Sequence, residues 1–432
     1  MSKYLIVISF DAVSAEDYKI LKSLPNFKLL MEQGAYVKEV ESVYPTLTYP
    51  AHTSIVTGKY PKNHGIVNNL KVQPRRRHED WFWHRKHIIG KTLYDVAREQ
   101  EMVVASLLWP VTAGAKIKYN IAEIWPNRSW QNQVMVSLIN SSPKYILEMN
   151  NRYGHIRKGV HQPELDDFIL ACTIDTIKNK KPNLMLIHLT DVDSNRHIYG
   201  YNSEEAREAI LRQDKRLGEI IKALKEASIF ESSTIVALGD HSMFDVDKVI
   251  NINSLFRENG FIVTDKNGKI KDWKVFFNTA DGSGYVYLKD KKDEALRKQV
   301  KELLLDFAKD SNSGIDYVLS SKEAEEFGAD PECDFLLEAK KGYYFLNSAH
   351  KDIVEEVTRE KQREDKDYTF ATHGFSPSKV GYSTMLIAYG HGIKPGAIVE
   401  KARLIDEGPT FAELLGINLE QCDGEVIKGI LL

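Results

Sequence analysis

The sequence predicts an α/β protein, with a largely parallel central sheet sandwiched between helical layers and one inserted cap. Three observations predict it. Short apolar runs rich in Val, Ile and Leu alternate with amphipathic stretches. Four separated segments each place a carboxylate, hydroxyl or imidazole at the end of such a run or in the turn after it, where ligands gather in open α/β sheets. A lysine- and acid-rich stretch, about residues 251–367, separates segments whose chemistry belongs together.

In chain order, the runs Tyr4–Phe10, Val103–Trp109, Asn183–Leu189, Thr234–Leu238 and Ser383–Ala388 read as strands. Leu21–Glu32, Thr92–Arg98, Glu164–Lys178, Ala206–Glu226 and Pro409–Leu415 carry apolar residues at three- and four-residue spacing, so they read as helices. Residues 1–250 and 368–432 then form one catalytic domain, and 251–367 an inserted cap with a hairpin-like turn at Asp265–Asn267–Gly268. The segment Pro74–Trp83 mixes three arginines with acids and aromatics. It reads as a surface loop or substrate rim, because acids follow the arginines at once.

Composition excludes several classes. Of 432 residues, 43% are hydrophobic and 28% charged, so the whole chain is expected to fold. The net charge of −3, from 58 basic and 61 acidic residues, points to neither a nucleic-acid polymer nor an anionic membrane. Cys172, Cys333 and Cys422 lie far apart and outside any CxxC pattern, which implies neither a disulfide framework nor a thiolate zinc site. The start reads as a buried strand rather than a signal peptide, and no stretch approaches the roughly 18 to 20 apolar residues that span a bilayer. The expected location is the cytoplasm.

The chemistry concentrates in four segments and one further histidine. Asp11 ends the first strand. Thr48 lies in YPTLTYPAH, where Pro45 and Pro50 stiffen the turn and a helix start favours an anion. The same stretch continues to His64-Gly65-Ile66-Val67-Asn68-Asn69. Asp193 and His197 are four apart, on one helical turn. Asp191 is the alternative, but six residues from His197 do not return to the same face. Asp240 and His241 follow Gly239 at a strand end, and His373 stands in Thr372-His373-Gly374. Three Asp, one Thr and three His suit two divalent cations with mixed oxygen and nitrogen ligands, Zn²⁺ first and Mn²⁺ as competitor.

With these motifs in this order, the chain resembles the type I phosphodiesterase/nucleotide pyrophosphatase family of the alkaline phosphatase superfamily. PTLTYPAH with TGKYPKNHGIVNN is similar to that family's nucleophile segment, and DxxxH, GDH and THG to its metal motifs. The resemblance implies an alkaline-phosphatase-like α/β/α fold and Thr48 as the nucleophile. It implies one metal on Asp11, Thr48, Asp240 and His241, and another on Asp193, His197 and His373. Asn69 would bind a non-bridging phosphoryl oxygen, helped by the backbone N–H of Tyr49. Three departures stand out: His188 occupies the position of a base-packing tyrosine, Tyr49 replaces a Phe and keeps a ring that can stack, and Ala51 replaces a common Asn.

The resulting expectation is cleavage of phosphodiester or pyrophosphate bonds, of nucleotides or related small soluble diesters, through phosphothreonine on Thr48. Activation of that hydroxyl by a metal replaces a sequence-adjacent His. A phosphomonoesterase or phosphonate hydrolase is the alternative on the same scaffold, and a non-catalytic metal- or phosphate-binding protein the alternative of another class. A sulfatase is disfavoured, since no cysteine sits in a CxPxR-like setting.

Overall fold

The computed structural model describes residues 2–76 and 78–432. Met1, and Arg77 in the 74–83 segment, lie outside the described residues. Eight strands form the central sheet: β1 (Tyr4–Phe10), β2 (Ala35–Glu41), β3 (Val104–Leu107), β4 (Tyr119–Ile121), β5 (Leu184–Leu189), β6 (Ser233–Leu238), β7 (Thr384–Gly390) and β8 (Ala397–Arg403). Their order is β8-β2-β7-β6-β1-β5-β3-β4. Every neighbouring pair is parallel except those of β7, which runs antiparallel to both β2 and β6.

The period-two geometry of β1 divides its side chains between the two faces. Ile6, Ile8 and Phe10 pack with helices α1 (Pro25–Gln33), α4 (Glu164–Asn179) and α6 (Glu204–Glu226). Leu5 and Val7 pack instead with α2 (Thr48–Thr57), α3 (Leu93–Glu99) and α7 (Glu407–Leu415). Both faces are therefore covered, which is why β1, β5 and β6 read as unbroken apolar runs. The expected helix Leu21–Glu32 is two: a turn of helix at Tyr18–Leu21, then α1, which Pro25 starts at its first position.

Between β6 and β7 the chain builds a second body with its own apolar core. It holds a four-stranded antiparallel sheet of Val275–Ala280, Ser283–Leu288, Phe335–Ala339 and Ile315–Ser320. Strand Phe244–Ile250, before residue 251, pairs with Gly342–Phe345 and Val354–Glu356 inside this body and with Ala371–Thr372 beyond residue 367. The Asp265 carboxylate accepts from the N–H groups of Asn267 and Lys269, closing the hairpin between Ile262–Thr264 and Ile270–Trp273. Among the described residues no helix is long and apolar enough to cross a membrane. The three cysteines are free.

Candidate active site

The three central strands β6, β1 and β5 are adjacent and parallel, so the residues just past their ends meet at one edge of the sheet. Asp11 follows β1, its N–H donating to the carbonyl of Leu189 at 2.9 Å. Asp240 and His241 follow β6. Past β5 the chain turns at once into helix α5 (Asp191–Tyr199), whose pitch stacks Asp193 and His197 on one face, 3.3 Å apart. Thr48 opens α2 and lies almost wholly buried. His373 arrives from the second body, held against the Thr48 segment by the N–H of Gly374, which donates to the carbonyl of Thr46 at 3.0 Å. Gly239 serves a close approach rather than a turn of positive φ, since a Cβ there would stand 1.9 Å from the carbonyl oxygen of Val13.

Six side chains form two adjoining triads, Asp11–Asp240–His241 and Asp193–His197–His373, with the ligand-type atoms of each within 4.8 Å of one another. The rings of His241 and His373 are 4.0 Å apart and link the triads. Thr48 Oγ1 lies 3.2 Å from His241 Nε2. Asp191, the alternative to Asp193, points away, fully buried and salt-bridged to Arg212 and Arg216 at 2.8 and 2.7 Å. The triads open into a cleft of about 1530 Å³, whose walls include Asn69, Trp81, Trp125, Asn347 and Asp367.

Three carboxylates this close and this buried repel one another. Burial, and then Asp193, push the carboxyl of Asp11 up to about 7; burial and Asp11 raise that of Asp240. Burial, with neighbouring histidines, holds His241 well below its ordinary range and takes His373 down to about 3. Burial opposes the charge of His197 too, but Asp193 overcomes it and the imidazole ends at about 9. Asp11 Oδ1, Asp193 Oδ1 and Asp240 Oδ2 are buried without a hydrogen-bond partner. Unpartnered carboxylate oxygens beside imidazoles, of which His241 and His373 are held neutral, are the donor set that divalent cations take, so the residues fit a pair of metal ions.

The family model for type I phosphodiesterase / nucleotide pyrophosphatase matches residues 5–376. The chain belongs to that family. It is 26% identical to human ectonucleotide pyrophosphatase/phosphodiesterase family member 1 over 51% of this chain and 21% of the relative. To the bis(5'-adenosyl)-triphosphatase enpp4 of Xenopus laevis it is 26% identical over 61% and 52%. To the venom phosphodiesterase of Naja atra it is 24% identical over 96% and 44%. The chain thus spans about half or less of the length of these relatives. Among solved structures, murine ectonucleotide pyrophosphatase / phosphodiesterase 5 aligns over 100% of both chains with a TM-score of 0.68 and 20% identity, as does its inactive variant in complex with AMP. The fold is that of the type I phosphodiesterases.

Measured against the family's pattern, the structure corrects two expectations. The ring of Tyr49 is fully buried, edge-on to Trp81 at 5.2 Å, so Trp81 and not Tyr49 presents an aromatic face to the cleft. Its N–H is also engaged, donating to Asn69 Oδ1 at 2.9 Å. That bond fixes the amide of Asn69 and leaves its NH₂ group for a ligand. His188 is only 1% exposed, with Nε2 at 3.0 Å from Asp11 Oδ2 and Nδ1 at 3.2 Å from the carbonyl of Leu108. It orients Asp11 from the lining of the cleft. The structure adds one residue beside the site that sequence reasoning did not single out: His52, whose Nδ1–H donates to the carbonyl of Thr48 at 2.8 Å and lies 3.5 Å from Asp240. Its spacing of four from Thr48 within PTLTYPAH was the available signal.

Proposed function

We propose that this chain is a two-metal hydrolase of phosphodiester or pyrophosphate bonds, acting on nucleotides or related small soluble diesters through a phosphoryl group carried on Thr48. The observation that carries the reading is the placement of Thr48 Oγ1, 3.2 Å from His241 where the two triads adjoin, at the first position of α2. Bound at the triads, two divalent cations, Zn²⁺ by the mixed donor set and Mn²⁺ as the competitor, would lower the hydroxyl's pKa and neutralise phosphoryl oxygens.

The chain's own residues supply the rest. The dipole at the start of α2 favours an anion beside Thr48, although the Tyr49 N–H is taken by Asn69 and Pro50 has none to offer. Asn69 presents its NH₂ group, preset by the Tyr49 N–H, to a non-bridging oxygen. His52, buried and held neutral, fixes the Thr48 carbonyl and so the first turn of the helix. Residues 251–367 act as a cap in this reading, since Asn347 and Asp367 wall the cleft together with Trp81 and Trp125. Bis(5'-adenosyl)-triphosphatase as the name of one relative, and AMP bound to the murine neighbour, support a nucleotide substrate.

The test compares a chromogenic nucleotide diester with the matching monoester on purified, zinc-loaded protein. Faster diester turnover is expected. Monoester turnover faster by about a hundredfold, some 2.7 kcal/mol in transition-state stabilisation, would move the reading to a phosphomonoesterase.

A further inference from the structure

The second body contributes more than a wall to the cleft. Its strands Val275–Ala280 and Ser283–Leu288 are joined by the two-residue turn Asp281-Gly282, and this turn lies directly on His373. The N–H of Gly282 donates to the carbonyl of His373 at 2.8 Å, and the hydroxyl of Ser283 donates to the carbonyl of Gly374 at 2.6 Å. The backbone around His373 is thereby fixed by the hairpin. The Asp281 carboxylate reaches the ring itself, with Oδ2 3.5 Å from His373 Nδ1.

Position assigns the two ring nitrogens their roles. His373 Nε2 faces Asp193 Oδ1 at 3.9 Å and belongs to the triad. As a metal donor it must be unprotonated, so the neutral ring carries its proton on Nδ1. That Nδ1 is buried and has no hydrogen-bond partner, and Asp281 is the carboxylate facing it. Carboxylates behind a ligating imidazole fix its tautomer and rotation and raise its basicity.

We infer that Asp281 is the positioning residue for His373, so that the inserted body sets the orientation of one of the three side chains of the Asp193–His197–His373 site. The inference rests on the two-metal reading above. A plainer role for Asp281 exists, because its φ of 59° falls in the left-handed region, which Asp, Asn and Gly accept in tight Asp-Gly hairpins. Turn preference alone would make Asn or Gly equivalent to Asp at this position. A ring-positioning carboxylate would not.

The two roles separate in Asp281→Asn and Asp281→Gly, both compatible with the turn. Zn²⁺ affinity of metal-free protein is measured by competition with a chromophoric chelator, and Co²⁺ spectra report the coordination at each site. The expected result is two zinc ions in the wild type, with one of the two affinities weakened by about 10- to 100-fold in the variants, more in Gly than in Asn, at unchanged unfolding temperature. Two ions bound with wild-type affinities in both variants would overturn the role of Asp281 while leaving the two-metal reading intact. A wild type that takes up no metal would overturn that reading itself.

Discussion

In the proposed reaction Thr48 is made reactive by position, since a threonine hydroxyl is a weak nucleophile at neutral pH. It is presented at a helix start whose preceding residue, Leu47, is extended, and its neighbours are fixed by Asn69 and His52. Thr48→Ala should lower kcat for a nucleotide diester by at least about a thousandfold while leaving the unfolding temperature near that of wild type. A variant within tenfold of wild type would remove Thr48 from the chemistry. Asn69→Ala should lower kcat by about a hundredfold with a smaller change in KM, because its donor counts most when charge develops on phosphorus; steady-state kinetics decide it. At this scale the sequence was readable wherever a periodicity spoke. The spacing of four selected Asp193 over Asp191, whose carboxylate serves Arg212 and Arg216 instead. It was unreadable for Tyr49 and His188, because which way a ring faces depends on Trp81, Glu123 and Asp11, residues from distant segments.

Helix α5 carries two of the proposed ligands, and its start is anchored from outside. Asp166 on α4 accepts from the N–H groups of Thr190 and Asp191 at 3.0 and 3.1 Å, and Arg216 on α6 binds Asp191. Removing the cation by Arg216→Ala leaves Asp166 and Asp191 buried without it, which should destabilise the fold by about 3 to 5 kcal/mol in urea unfolding; a loss under 1 kcal/mol would show that the anchor is unimportant. Strand Phe335–Ala339 is tied to the catalytic body by Glu338, which accepts from Tyr44 Oη and the Ser376 N–H at 2.6 and 2.9 Å. Burial raises this carboxyl from an ordinary 4.5 to about 7, against the pull of Lys379. Folded Glu338 therefore keeps a proton that the unfolded chain has released, so its contribution is greatest below pH 4.5 and declines as pH rises toward 7 and above. Measured against Glu338→Gln, wild-type stability should fall by about 3 kcal/mol over that window; a pH-independent difference would contradict the assignment. The buried strands β1, β5 and β6 were legible as apolar runs. β2 and β8 were not, since AYVKEVE and AIVEKAR leave Lys and Glu in solvent and show no continuous apolar stretch.

The molecule places its chemistry at the join of two bodies: the sheet supplies five of the six triad residues directly past β1, β5 and β6, and the returning chain brings His373. The sheet's part of this was visible in sequence as acids and histidines after apolar runs. The role of the Asp281-Gly282 hairpin was not, because nothing in sequence links a turn to a histidine 92 residues later. The central claim is that these scattered side chains surround two cations and face a hydroxyl. The most direct measurement is anomalous diffraction at the zinc edge from crystals of the zinc-loaded protein. Two peaks about 4 Å apart are predicted, one among Asp11, Asp240 and His241, the other among Asp193, His197 and His373, with Thr48 Oγ1 directed at the pair. A single peak, none, or a Thr48 hydroxyl turned away from both would contradict the account.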